Sequence, residues 1–377
     1  AGGNQMFRQN KTTRESAEDF VQRGLYTIMN GRVKNASHDL VERAVNSLYG
    51  AAEISYKSFL FLNMTGRNDW FSTLSPDNRS IFYPSVTASF IFTDAIKGMP
   101  DYLSFGKVRL SYAEVGDDNV AAYSNVMYYN INNNLYPSEA GSVPVGGFAS
   151  STIPNPDLRP LRVAEAEAGI DLRLFDNKVA FDFAYYRKLT KDQIISASVS
   201  NATGYSTQLI NVGESVSRGF ETAVSVTPVD VKNFRWDVNA NISYNTSEVL
   251  KLGLSDADTM ITVGSVREIV GQKLNQIFVW EQRKDANGNK VFDKASGYPL
   301  RASQMVSAGT NQPTWFGGFT NTINYRGIIV SALIDFKLGK DYVMLGGANR
   351  HYWRHSLHKG TLPGREENVV VGEGVNP

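Results

Sequence analysis

The chain has 377 residues, with 38 Lys and Arg against 37 Asp and Glu, and no cysteine. Balanced charge gives no bulk attraction to nucleic acid or an acidic partner, and the missing thiols exclude a disulfide scaffold, a thiolate metal site and a cysteine nucleophile. No apolar run approaches the roughly 18 residues of a transmembrane helix. Ala1-Gly2-Gly3-Asn4 opens the chain without the basic or apolar regions of a signal peptide, so either a signal has been removed or this is an interior piece of something longer.

Residues 1–43 are polar and lack a period; one short helix is predicted around Ala17 to Leu25. From about residue 44 apolar and polar residues alternate, which marks strands with one greasy and one wet face. Leu48, Gly50, Ala52 and Ile54 share the first greasy face. Strand 59–67 adds Leu60, Leu62 and Met64, strand 85–92 adds Val86, Ala88 and Phe90, and strand 107–115 sets Val108, Leu110 and Tyr112 against Lys107, Arg109 and Ser111. A loop over 117–158 leads to a hairpin. Ala164, Ala166, Ala168 and Ile170 oppose Glu165, Glu167, Asp171 and Arg173; Asp176-Asn177 turns the chain; Phe181, Phe183 and Tyr185 oppose Asp182, Tyr186 and Lys188. A second loop, 192–216, precedes strand 217–227. Segment 234–245 alternates without a fault: Phe234, Trp236, Val238, Ala240, Ile242 and Tyr244 against Arg235, Asp237, Asn239, Asn241, Ser243 and Asn245. A third loop, 246–314, comes before the last hairpin, 315–325 and 328–337, joined at Arg326-Gly327. The period is lost over 340–377.

These ten strands have connections of two kinds. Those at 56–58, 93–106, 175–178, 229–233 and 326–327 are short, and those between them run about 10, 42, 25 and 65 residues. In an up-and-down sheet alternate connections share an end, so short turns collect at one end and long loops at the other, as in an outer-membrane β-barrel. Strands of nine to thirteen residues suit tilted crossings of a bilayer, about 9–11 residues, better than sandwich strands of about 5–6. Aromatics sit at the strand ends on the greasy face: Tyr56, Phe234, Trp236 and Tyr325 near short turns, Tyr185, Tyr244 and Trp315 near long loops. Two such girdles match two membrane interfaces. A large soluble β-protein with core aromatics is the competing reading.

Four stretches stand in register. They are Thr65-Gly66-Arg67-Asn68-Asp69-Trp70, followed by Asn78-Arg79 and Tyr83-Pro84-Ser85-Val86; Phe105-Gly106-Lys107-Val108-Arg109-Leu110-Ser111-Tyr112 with Val115-Gly116; Asn155-Pro156-Asp157-Leu158-Arg159-Pro160; and Gln312-Pro313-Thr314-Trp315-Phe316-Gly317-Gly318-Phe319-Thr320-Asn321. Their order and spacing resemble the SusC/RagA family of TonB-dependent outer-membrane transporters, over nearly all of residues 44–377. The resemblance implies an all-β fold, an antiparallel up-and-down transmembrane β-barrel of about 22 strands plugged by an N-terminal domain. It implies a SusD-like surface lipoprotein as lid, TonB as the energy source through an N-terminal region not seen in this sequence, and an oligosaccharide or peptide as substrate. The location implied is the outer membrane of a Gram-negative bacterium. Residues 1–43 would then be an extracellular segment, residues 44–339 barrel strands with extracellular loops at 117–158, 192–216 and 246–314, and residues 340–377 a further extracellular loop.

Candidate chemistry is sparse. His351, His355 and His358 would meet on a helix, but Arg350 and Arg354 are interleaved and no carboxylate is near, so they and His38 read as polar loop surface. Asp285, Asn287, Asn289 and Asp293 resemble an oxygen-rich calcium loop. Gly288 falls at position four rather than six and Lys290 brings a positive charge, which favours a plain Asn-Gly turn. The loop aromatics Tyr123, Tyr128, Tyr129, Tyr136, Trp280, Tyr352 and Trp353 are the substrate-binding candidates; rings there can stack on sugars, pack peptide side chains, bury under a lid, or pack within their own loops. Glu165, Glu167, Asp171, Arg173, Asp182, Arg235 and Asp237 are expected to line a polar lumen and pair across strands. No nucleophile elbow, phosphate loop or paired-carboxylate motif points to an enzyme. Two other classes stay open on sequence: a surface adhesin or receptor that binds without import, and a secreted carbohydrate-binding or hydrolytic β-protein.

Overall fold

The computed structural model describes residues 1–118, 120–131, 136–139, 141–253, 259–263 and 266–341. Two compact units divide the chain: residues 1–216 with 253–256, and residues 217–252 with 257–377.

In the first unit the strands are β1 (Gly2–Phe20), β2 (Gly31–Tyr56), β3 (Leu60–Phe71), β4 (Ser80–Ile91), β5 (Leu103–Asp117), then five short pieces β6 (Tyr129–Ile131), β7 (Tyr136–Ser138), β8 (Gly141–Val143), β9 (Gly146–Phe148) and β10 (Thr152–Ile153), then β11 (Leu161–Leu174), β12 (Val179–Ser198) and the start of β13 (Thr207–Val231). The long strands form an antiparallel sheet in the order β1-β2-β3-β4-β5-β11-β12. β6 pairs with β9, and β7 with β8, inside one loop. In the second unit β13 finishes, β14 (Phe234–Lys251) pairs onward, a four-stranded loop sheet holds β15 (Met260–Val263), β16 (Val266–Ile269), β17 (Gln276–Gln282) and β18 (Arg301–Thr310), and β19 (Trp315–Tyr325) and β20 (Ile328–Leu338) close the series in the order β14-β19-β20. Among the described residues no helix is long and apolar enough to cross a membrane; crossing by strands needs none.

Register turns the alternation into two surfaces. One row runs Ile54, Leu62, Ala88, Leu110, Ala168, Tyr185 across β2, β3, β4, β5, β11 and β12. The row beside it, on the other face, runs Glu53, Asn63, Thr87, Ser111, Glu167, Tyr186. A soluble sheet buries its apolar row. Here Val108, Leu110 and Tyr112 are 37%, 57% and 39% exposed, whereas Lys107, Arg109 and Ser111 between them are partly buried. The greasy face looks outward, as lipid requires, and the competing soluble reading loses its core.

Hydrogen-bonded ion pairs fill the wet face. Arg109 donates to both oxygens of Asp182, at 2.6 and 2.9 Å, and to Glu167 at 3.2 Å; Lys107 lies 3.3 Å from Asp171. Arg109 reaches Asp182 on β12 by passing over Gly169 of β11, where a Cβ would sit 2.7 Å from the guanidinium. Arg173 lies over the Phe105 ring, and Arg235 pairs with Asp237 and Asp230 on the second unit's strands. The expected pairing of lumen charges is what the chain forms.

The turns keep their sequence logic. Lys57 and Ser58, then Asp176 and Asn177, then Arg326 and Gly327 all have positive φ, the conformation of two-residue hairpin turns that match strand twist. Tyr56, Phe59 and Phe90 meet edge to face at one such end, and Phe220, Tyr244 and Trp315 cluster at the loop end of the second unit. Trp236 donates to Asn321, a polar group on the outward face, at 2.7 Å.

Three expectations need correction. Residues 1–43 are not irregular and hold no helix over 17–25: β1 and most of β2 pair from Gly2↔Tyr49 to Phe20↔Gly31. Where both faces of a hairpin are wet, alternation vanishes although the backbone ladder continues. For the same reason β12 runs on to Ser198 and β13 starts at Thr207, so the loop over 192–216 shrinks to a short connection containing the 3-10 turn Asn201–Thr203. Tyr185 consequently lies in the central row beside Ala168, well inside its strand rather than at the loop end.

Candidate functional site

The long-loop end of the first unit is built on a small apolar core. Val45, Phe71, Leu74, Ile81, Val120 and Leu158 are buried together, with Leu158 only 1% exposed, and Tyr83, Ile194 and Leu209 pack against them. The conserved-looking spacing Asn155-Pro156-Asp157-Leu158-Arg159 thereby acquires a physical meaning. Leu158 is the anchor, and its neighbours tie the loop to the strand ends. Asn155 donates to the Leu209 carbonyl at 2.8 Å, Ser75 donates to the Pro156 carbonyl, and Arg159 pairs with Asp192 at 2.9 Å. Asn211 accepts from the Arg159 backbone N–H and donates to the Arg159 and Asp192 carbonyls.

Asp118 roots the same loop. Its side chain has 0% exposure and accepts from Arg43 on β2 and from Thr73 after β3. Burial pushes this carboxyl above its ordinary range, and the Thr73 hydroxyl and Arg43 charge pull it part of the way back. Beside it, Tyr83 donates to Asp69, and Arg67 binds Asp69 at 2.7 Å and Ser47 at 2.7 Å. The Arg-Asn-Asp stretch is thus a brace for the strand ends.

Above this base lies a cavity of about 430 Å³, walled by residues from 120–154 together with Ile194, Tyr205 and Leu209. Of the candidate aromatics, Tyr123 and Tyr128 line it and meet edge to face at 6.3 Å. Tyr129 stacks on Phe148 at 5.2 Å, and Phe148 packs on Tyr205 at 5.4 Å. Tyr136 belongs to the exposed β7–β8 hairpin and does not line the cavity. Trp280 sits in the second unit under the Arg301 guanidinium, 5.0 Å away. Tyr352 and Trp353 lie outside the described residues, as do His351, His355 and His358; His38 is exposed on β2. Sequence reasoning missed Phe148, Tyr205 and Met127. The signal was there for two of them: Phe148 closes a Gly146-Gly147 pair and Tyr205 follows Gly204, whose φ is +82°.

The candidate calcium loop forms a turn. The Asp285 carboxylate accepts from the Asn287 and Asn289 backbone and from the Asn289 amide, and Asp293 accepts from Ala295 and Ser296. The Asn289 side chain holds Asp285 below the usual carboxylate range, and the Ser296 side chain does so for Asp293. Gly288 takes φ +85° at the bend. Among the described residues no three His, Asp or Glu side chains converge as a cation cage. In the adjoining loop sheet, burial raises the Glu268 carboxyl, which accepts from the Asn275 N–H.

Comparison with known proteins gives one answer. A family model described as "TonB dependent receptor-like, beta-barrel" matches residues 3–355. The TonB-dependent receptor P26 of Formosa agariphila is 25% identical over 341 residues, covering 84% of this chain and 34% of the relative. The TonB-dependent receptor SusC of Bacteroides thetaiotaomicron is 25% identical over 264 residues, covering 65% of this chain and 26% of SusC. Among solved structures, the RagAB peptide importer in its closed-closed state superposes with a TM-score of 0.74 at 19% identity, over 90% of this chain and 39% of that one. The Escherichia coli outer-membrane transporter YddB superposes with a TM-score of 0.53 at 14% identity, over 93% of this chain and 41% of that one. The chain spans about a third of the length of the curated relatives it matches.

Proposed function

Because the chain belongs to the TonB-dependent receptor-like β-barrel family, we propose that it supplies part of the wall and outer mouth of a transporter in the outer membrane of a Gram-negative bacterium. That family is one of receptors rather than enzymes. In this reading the whole protein imports oligosaccharides or peptides with energy from TonB, and a SusD-like surface lipoprotein covers the mouth. The observation that carries the reading is the inverted wall: apolar rows exposed, ion-paired polar rows turned the other way, and ordered loop structure gathered at one end of the first unit.

The physical logic runs from wall to cargo. A barrel much wider than eight strands has a lumen that side chains do not fill. A wet lumen of that size would leak unless plugged, and a plugged lumen needs work to open. Loops bearing rings at the outer end supply capture before passage. The test is uptake of labelled glycans and peptides by cells carrying the full-length protein, compared between wild-type and TonB-deficient backgrounds and with the partner lipoprotein deleted. Uptake should require all three. Equal internalisation without TonB would refute the transporter reading, and surface binding with no internalisation in either background would favour an adhesin.

A further inference from the structure

The cavity beside Tyr123 and Tyr205 has a wall chemistry that discriminates between the two cargo classes. No lining residue is charged, and none carries a side-chain amide. Its hydroxyl groups are spent internally. Tyr205 donates to the Met127 sulfur at 3.3 Å, Ser124 donates to the Ala121 carbonyl at 2.8 Å, Ser150 accepts from the Thr152 N–H at 3.0 Å, and Thr152 pairs with Thr207 at 2.8 Å. A sugar ring entering here would surrender water to a wall with few free polar partners, and buried polar groups left unpaired are costly. An apolar group loses nothing of that kind and gains dispersion contacts with four rings and a thioether.

Backbone strain adds a second, independent sign. Tyr123 is held at φ +68°, a region that a bulky side chain occupies only when its surroundings impose it. The imposed conformation keeps the Tyr123 ring against Tyr128 on the cavity wall. The cavity's size, about 430 Å³, falls in the range of small-ligand sites.

We propose that this cavity is a subsite for a bulky, uncharged apolar group, an aromatic or branched aliphatic side chain of a peptide, so that the cargo captured at this mouth is peptide rather than oligosaccharide. The assignment rests on the transporter reading for its place in uptake, but the binding event does not depend on TonB.

The test uses the purified full-length protein in detergent and calorimetric titration with three probes: the blocked peptide acetyl-Ala-Phe-Leu-Ala-amide, the charged peptide acetyl-Ala-Asp-Lys-Ala-amide, and maltotetraose. The apolar peptide should bind about tenfold or more tightly than either other probe. Phe148→Ala, which removes a wall ring, and Ala122→Trp, which fills the space, should each weaken it by about tenfold, while Tyr136→Ala, outside the cavity, leaves it unchanged. Heat-modifiable migration on gels checks that each variant is folded, and the three-probe comparison on the unaltered protein stands without any variant. Tighter binding of maltotetraose, equal binding of the three probes, or apolar-peptide binding unchanged in both folded cavity variants would overturn the proposal. If TonB-dependent uptake persists alongside such a result, only the cavity assignment fails; if uptake is independent of TonB while the apolar peptide binds as expected, only the transporter reading fails.

Discussion

Leu110 gives the sharpest test of which face meets lipid. On the outward face of β5 it lies between Ser104 at the short-turn end and Glu114 at the loop end, flanked by Val108 and Tyr112. Its cross-strand neighbours are Ala88 and Ala168, and at 57% exposure it makes little packing of its own. Leu110→Arg therefore loses few contacts, and nearly its whole effect comes from placing a guanidinium among apolar neighbours. At the bilayer midplane that costs about 2–4 kcal/mol. Ser111→Arg is the matched control. It points to the other face, where Glu167 is its cross-strand neighbour and Asp182 lies one strand beyond, so its added charge meets acidic partners and should change stability by less than about 1 kcal/mol. The assay is urea unfolding of the full-length protein in lipid vesicles, with membrane assembly in cells followed in parallel. A Leu110→Arg protein as stable as the parent, or a Ser111→Arg protein less stable than Leu110→Arg, would reverse the assignment of faces and with it the membrane argument.

Other consequences follow from particular contacts. Gly169→Ala places a methyl 2.7 Å from the Arg109 guanidinium, so Arg109 must leave Asp182; losing those charge-assisted bonds should cost about 1–3 kcal/mol, and Asp182→Asn should then add little to Gly169→Ala in a double-mutant cycle. Asp118→Ala strands Arg43 at the loop base and should cost about 3–5 kcal/mol locally, read as faster proteolysis within 120–154. Burial raises the Asp118 carboxyl, so the folded loop binds its proton more readily than the unfolded chain does. The stability tied to this group is largest at low pH and declines as pH rises through the raised value; protease resistance of the loop should hold or improve on mild acidification in the parent and lose that trend in Asp118→Asn. Epitope tags after Gly141 in the first unit or near Asn287 in the second should be reachable by antibody on intact cells, and tags near Asn177 or Gly327 should not; the opposite pattern would invert the topology. An insertion near Asn132 makes the same prediction, at a position outside the described residues.

The sequence by itself determined the transmembrane part of each strand. From 234–245 to 328–337, period-two alternation located all ten expected strands, their turns at Asp176-Asn177 and Arg326-Gly327, and the polar row whose charges pair. This was legible because lipid on one side and water on the other impose opposite chemistries on successive residues. Beyond the bilayer both sides are wet, so β1, the outer part of β2 and the ends of β12 and β13 left no alternation to read, though their backbone ladders continue. The candidate site was legible only as residue types. Tyr123 and Tyr128 were in the right loop, but nothing in their spacing could say that Phe148 and Tyr205, separated from them by some 20 to 80 residues, would close the same cavity. Nor could it say that Leu158 and Asp118 would hold that loop down against β2 and β3. Those are contacts between distant parts of the chain, fixed by apolar burial and by satisfying a buried carboxylate, and only the tertiary structure decides them.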